Sequence, residues 1–192
     1  NVTGVQTCAL PISEPEAGSD LAALKTRAVR DGDDYVVNGQ KIFTSGAEGA
    51  DYVFLAARTD PEAPAHKGIS ILMLDTRTPG FTVTPIRTVG GLLTNITHYT
   101  DVRVPVHMRI GEENAGWRLI AEQLNHERIG LAALSYTANG CFDEVVDWAR
   151  ANGRLQRPWV QSALAEAYAL LQATTMLGHR VGWEVATGVT RP

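Results

Sequence analysis

Cysteine is scarce: Cys8 and Cys141 are the only two in 192 residues. Two thiols so far apart give neither the paired spacing of a zinc site nor a disulfide framework. A small secreted disulfide scaffold is therefore excluded, and a reducing, cytoplasmic compartment is the default. Long apolar runs are missing as well. None approaches the roughly 20 residues that cross a bilayer, so no membrane span is predicted. No single sign of charge dominates, because 17 Lys+Arg against 21 Asp+Glu leave a formal net charge of -4. That mild, mixed balance gives no electrostatic footprint for nucleic acid or an anionic membrane. Internal repeats and low-complexity tracts are absent. The apolar share, 44%, is enough to bury a core.

The chain starts at Asn1 without a methionine and stops at Pro192 in or just after a helical pattern, so both ends read as cut. Val2 to Ile12 reads Val-Thr-Gly-Val-Gln-Thr-Cys-Ala-Leu-Pro-Ile, the conceptual translation of a common sequencing-library adapter. It has no basic leader and no long apolar stretch, which argues against a signal peptide. Residues 1–12 are accordingly set aside as an artefact. They are expected to line no ligand site and to have no fixed partner, with natural sequence beginning near Ser13.

The pattern changes near residue 112. Before it, short strands and turns alternate. Leu24 to Val29 and Tyr35 to Val37 flank Asp31-Gly32-Asp33-Asp34, a hairpin signal. Tyr52–Ala57 and Ile69–Leu74 are short, mostly apolar runs of the kind that strands buried on both faces show. Phe81–Ile86 and His98–Val104 complete a set of about six strands, as in a small barrel or sandwich. After Gly111 the period is helical. A long helix is predicted from about Ala115 to about Arg150, with a possible break near Gly140, closed by Asn152-Gly153. A second helix starts at Pro158. The fold class is therefore α+β: a middle β domain over 13–111, then helices over 112–192.

Three segments carry chemistry. Ser13-Glu-Pro-Glu-Ala-Gly-Ser-Asp20 is either a plain small-residue loop or one in which Gly18 lets the backbone approach a flat or charged ligand. Asn38-Gly-Gln-Lys-Ile-Phe-Thr-Ser-Gly46 opens with a hairpin-turn signal, Asn38-Gly39. Its Phe43 is either a core aromatic or a wall for a planar cofactor beside the hydroxyls of Thr44 and Ser45. In Leu124-Asn-His-Glu-Arg-Ile-Gly130, Glu127 falls on one helical face with Ile120, Leu124, Leu131 and Leu134. A carboxylate within an apolar stripe is either an ion-pair partner or a base whose pKa burial raises. Arg128 lies about 100° round the same helix.

Taken together and in order, these segments resemble the acyl-CoA dehydrogenase family. The family shows Thr/Ser-Glu-Pro-x-Ala-Gly-Ser-Asp, then Asn-Gly-x-Lys followed by an aromatic and a hydroxyl residue. This chain adds Pro79-Gly80-Phe81-Thr82-Val83, Asp101-Val-Arg-Val-Pro105, Gly111 to Trp117 and Glu127-Arg128. The resemblance is strong over about Ser13–Gly130 and looser beyond. It implies the middle β-barrel or sandwich domain of such an enzyme and the first helices of its C-terminal bundle, with the N-terminal helical domain absent.

It further implies FAD as cofactor. Ser13, Gly18 and Ser19 would lie along the flavin pyrimidine edge, and Phe43 would stand where the family usually has Trp against the isoalloxazine. Thr44 is grouped with them, and Ser45 takes the place of a Thr that bonds near N5. Ser19, Asn125, His126 and Arg128 would contact the acyl-CoA substrate. Glu127 stands where a minority of members, isovaleryl-CoA and long-chain dehydrogenases among them, carry the catalytic glutamate; most carry it on a later helix. The implied activity is α,β-desaturation of an acyl-CoA thioester, with electrons passed to an electron-transfer flavoprotein. The implied assembly is a homotetramer or a hetero-oligomer of the same fold. The Asn125-to-Arg128 form is similar to members acting on bulky or steroid-linked acyl chains. Where the family has Arg-x-x-Phe-Gly, reaching a neighbouring subunit's FAD, this chain has Asn152-Gly-Arg-Leu-Gln-Arg157. A non-catalytic partner subunit, an acyl-CoA oxidase and a flavin monooxygenase of this fold remain alternatives. The fragment alone is expected to be inactive.

Overall fold

The structure is a computed structural model and describes residues 7–132 and 135–189, without the side chains of 128–132 and 135–139. The chain divides into two compact units, Asn1–Ile120 and Ala121–Pro192.

In the first unit the hairpin predicted around Gly32 forms. Arg27–Asp31 (β2) and Asp34–Lys41 (β3) pair antiparallel, Ala28 opposite Val37. The turn needs a left-handed residue, and Gly32 supplies it at φ 61. Tyr52–Arg58 (β4) pairs antiparallel with Ile69–Asp75 (β5). Phe81–Arg87 (β6) pairs with Leu93–Pro105 (β7), and β7 also pairs with β3. Arg109–Ile110 (β8) closes the far edge on β5. The resulting order is β6-β7-β3-β2-β4-β5-β8, a mixed sheet. Pro85 sits on β6, the outer strand, where its missing N–H costs no ladder bond. Tyr35 and Val37 of β3, Val102 and Val104 of β7, Val53 and Leu55 of β4, and Leu72 and Leu74 of β5 share one buried cluster. Strands from both halves of the sheet thus curl round a single core. Ala56 of β4 and Ile71 of β5, on the alternate face, are buried as well, as their continuous apolar runs predict.

Cys8–Ala9 (β1) adds in parallel to β4. The Thr7 carbonyl accepts from the Asp51 and Tyr52 N–H groups at 3.0 and 3.1 Å, and Ala9 and Pro11 are buried. The expectation that residues 2–12 lack a fixed partner therefore fails over Thr7–Pro11, because β4 offers a free edge that an apolar extended segment can join. Residues 2–6 lie outside the described residues.

Asn38-Gly39 is not a turn. It is a bulge inside β3, where the register with β7 shifts between Val37 and Gly39. A Cβ on Gly39 would stand 2.6 Å from Thr26 Oγ1, and φ is 148. The close approach of Thr26, just before β2, together with the pairing of Asn38 and Asp101 across the bulge (Nδ2 to Oδ1 2.9 Å, Asp101 N–H to Oδ1 3.0 Å), overrides the turn preference of the dipeptide.

Gly116–Ala132 (α1) begins in the first unit. A Cβ on Gly116 would meet the Ile69 carbonyl at 2.9 Å, so only glycine lets this first turn lie against β5. In the second unit, Ser135–Ala151 (α2) and Pro158–Thr187 (α3) pack as a helical hairpin. Gly140 is inside α2 rather than at a break. Gly153 at φ 62 follows α2, and Pro158 occupies the first turn of α3, as the stop and start signals predict. Among the described residues no helix is long and apolar enough to cross a membrane.

Candidate functional site

The loop Ser13–Asp20 and the segment after β3 are brought together. The Ile42 N–H donates to the Ser13 carbonyl at 2.8 Å. Glu14 and Ala17 exchange backbone bonds at 2.8 and 3.1 Å, which tightens the loop. Beneath it lies an ion pair that the sequence reading did not single out. Lys41 Nζ donates to Glu14 Oε1 at 2.8 Å, with side chains 0% and 6% exposed. The same carboxylate accepts the Lys25 N–H at 2.6 Å and the Thr26 N–H at 3.0 Å. Burial pushes the Glu14 carboxyl up, but the Lys41 ammonium and these hydrogen bonds outweigh it and hold the group below its ordinary value. Burial lowers the Lys41 ammonium against the opposing pull of Glu14. A charge pair this deep rigidifies the loop provided every remaining lone pair is used, and Glu14 uses both oxygens. Both residues lie inside the quoted motifs, so the signal was in view, but neither motif reveals that the two side chains meet.

Above the pair, Ser13 is half-buried, and Gly18 and Ser19 are exposed. Nothing lies within 4 Å of a Cβ placed on Gly18. Phe43 is not a core aromatic. It is 64% exposed and held at φ 60, a conformation costly for a bulky residue. Ser45 is exposed, with Oγ 3.4 Å from Thr94 Oγ1. Thr44, between them, is buried, which separates it from the exposed face. Its N–H donates to the Asn95 carbonyl at 2.9 Å, and its own carbonyl accepts from Asn95 Nδ2 at 2.9 Å. Among the described residues, the buried Thr44 Oγ1 and Asn95 Oδ1 have no partner. Asn95 was missed because its role depends on a contact 51 residues away in sequence.

On α1, His126 and Glu127 are exposed and Asn125 and Leu124 half-buried. His126 Nδ1 is 2.8 Å from the Glu122 carbonyl, one turn back. The expected burial of Glu127 in an apolar stripe is not met. Ile120 is buried, but an amphipathic stripe is desolvated only where another element covers it. The side chains of Arg128 and Leu131, and Leu134 altogether, lie outside the described residues. Among the described residues no cluster of His, Cys, Asp and Glu could hold a metal.

An exposed, strained aromatic, a hydroxyl beside it and an open glycine loop clamped from below suit a planar, polar-edged cofactor. Two family matches agree with that chemistry: the acyl-CoA dehydrogenase middle domain over residues 9–102 and the acyl-CoA dehydrogenase C-terminal domain over residues 114–192. The chain belongs to the acyl-CoA dehydrogenase family. It is 49% identical over 189 residues to acyl-CoA dehydrogenase FadE26 of Mycobacterium tuberculosis, covering 94% of this chain and 46% of that protein. The solved Tcur3481-Tcur3483 steroid acyl-CoA dehydrogenase is 53% identical, with a TM-score of 0.86, covering 97% of this chain and 48% of that one. The ChsE4-ChsE5 complex of Mycobacterium tuberculosis is 47% identical with a TM-score of 0.76, covering 97% and 49%. The chain thus spans about half the length of the relatives it matches.

Proposed function

We propose that the complete protein containing this chain is an FAD-dependent dehydrogenase that introduces an α,β double bond into an acyl-CoA thioester, with a bulky, steroid-linked acyl chain as substrate class. The observation that carries the reading is the junction of Ser13 with Ile42, which ties the Ser13–Asp20 loop to the segment that carries the exposed Phe43 and Ser45. The flavin, when bound, supplies the hydride acceptor. Phe43 gives its ring an aromatic wall, and the Ser45 hydroxyl is a donor for its polar edge. The hydroxyls of Ser13 and Ser19 and the amides around Gly18 supply further donors. Ser19, Asn125, His126 and Arg128 contact the thioester substrate.

Glu127 removes the α-proton. This assignment rests on the Glu127-Arg128 motif, and because the carboxylate is exposed in this chain, bound substrate must supply its desolvation. The steroid-linked class is supported by the solved steroid acyl-CoA dehydrogenase at 53% identity. The same comparison and the ChsE4-ChsE5 complex support assembly with a second subunit of the same fold, and an electron-transfer flavoprotein as electron acceptor completes the reading. We also read residues 2–12 as adapter-derived, which resequencing of the gene checks.

The test is to purify the complete protein, extract its flavin and follow dye reduction with straight-chain and steroid-linked acyl-CoA thioesters. FAD content and faster turnover of the steroid-linked thioesters are expected. A protein without flavin, or one that reduces dye with no acyl-CoA, contradicts the proposal. Oxygen uptake matching turnover would make it an oxidase instead.

A further inference from the structure

The backbone at the centre of the Phe43–Ser45 segment, that of Thr44, is gripped at both its polar groups by Asn95. Asn95, on β7 and 0% exposed, takes the Thr44 N–H on its backbone carbonyl and gives its Nδ2 to the Thr44 carbonyl, both at 2.9 Å. The same Nδ2 also donates to the Glu48 carboxylate. Both backbone polar groups of Thr44 are thus held by one residue of another strand. On either side stand Phe43 at φ 60 and the exposed Ser45. A bulky residue keeps such a backbone only where its surroundings over-determine it.

The grip has a cost. Donating from Nδ2 to two acceptors fixes the side-chain amide so that Asn95 Oδ1 is buried without a partner among the described residues, as is Thr44 Oγ1. Buried acceptors are almost always paired, and an exception calls for a reason. An apolar side chain of similar volume would remove the unpaired Oδ1 but leave the buried Thr44 carbonyl without its Nδ2 donor, so what the asparagine secures is the backbone of this one segment.

We propose that Asn95 is a positioning residue that holds Phe43 and Ser45 in the conformation that meets the flavin, without touching the flavin itself. The proposal rests on the reading above, in which Phe43 and Ser45 face the cofactor.

Asn95→Leu keeps the volume and removes both the donor and the unpaired acceptor. In the complete, flavin-loaded protein it is expected to fold, with a melting temperature lowered by the unpaired Thr44 carbonyl, and to bind acyl-CoA with a similar dissociation constant. Flavin reduction at saturating substrate should slow by at least about tenfold, within the range that a misplaced active-site group costs, with a changed flavin absorption envelope. Ser45→Ala serves as the reference. Because Asn95 acts through the segment that carries Ser45, the double variant should be no slower than the slower single one. A merely structural asparagine would leave the rate per bound flavin and the flavin spectrum unchanged, whatever the melting temperature.

Unaltered flavin reduction and spectrum in Asn95→Leu, or full additivity with Ser45→Ala, overturns the proposal while leaving the flavin reading intact. If Asn95→Leu does not fold, Asn95→Ser, which leaves space instead of an apolar branch, carries the same comparison. Failure of both to fold assigns Asn95 to stability and overturns the proposal. A wild-type protein that holds no flavin overturns the reading beneath it.

Discussion

Glu14 and Lys41 show how a loop can be rigid while its surface stays open. Lys41→Met leaves the Glu14 carboxylate buried without its cation, and removing one partner of such a pair costs about 3–5 kcal/mol. Urea unfolding should show that loss, and Glu14→Gln added to Lys41→Met should recover part of it. The pair also has a pH signature. The Glu14 carboxyl is held below its ordinary value, so its stabilisation is fully present above the unfolded glutamate pKa of about 4.3. It is lost as pH falls through the lowered folded value. The stability difference between wild type and Glu14→Gln should therefore be flat near neutrality and shrink only in acid. A difference that grows on acidification would contradict the assignment.

Gly18 offers the converse experiment. A methyl there meets nothing within 4 Å, so Gly18→Ala should leave stability within about 0.5 kcal/mol of wild type. If Gly18 borders the cofactor as proposed, FAD affinity should nonetheless fall, because the methyl would then crowd the cofactor edge. Unchanged affinity would remove Gly18 from the site. At this scale the sequence singled out the loop and Phe43, but left open whether that aromatic was core or exposed. It could not show the Glu14–Lys41 contact or Asn95, because both depend on side chains 27 and 51 residues apart.

The elements were legible wherever periodicity and punctuation agreed. The β2–β3 hairpin, the doubly buried β4 and β5, and the Gly153 stop before Pro158 follow from local pattern alone. The misreadings came where a tertiary contact overrode a local preference. Asn38-Gly39 carries a hairpin-turn signature, yet Thr26, just before β2, lies so close that the pair becomes a bulge. Gly39→Ala tests this directly. With Thr26 Cα 2.7 Å from the new carbon, a side chain cannot rotate out of the way, and overpacking of this kind costs about 1–3 kcal/mol. Thermal unfolding should show that loss, and a neutral substitution would place the bulge elsewhere. Glu127 is the other case. Helical spacing put it in an apolar stripe, but spacing says which residues share a face, not whether that face is covered. The carboxylate proves exposed in this chain.

For the whole molecule, family membership follows from two domain matches, over residues 9–102 and 114–192, while the relative FadE26 is about twice the length of this chain. The central claim is that this protein desaturates an acyl-CoA with Glu127 as the base and flavin on the Ser13–Phe43 platform. Glu127→Gln keeps the shape of the side chain but cannot accept the proton. The decisive measurement is anaerobic stopped-flow bleaching of the oxidised flavin at saturating steroid-linked acyl-CoA, in the complete protein and in Glu127→Gln. The account predicts rapid bleaching in wild type and, in the variant, retained flavin and substrate binding with bleaching slower by at least about 10²-fold, the low end for a general base. Near-wild-type bleaching in Glu127→Gln would contradict it and move the base to another residue.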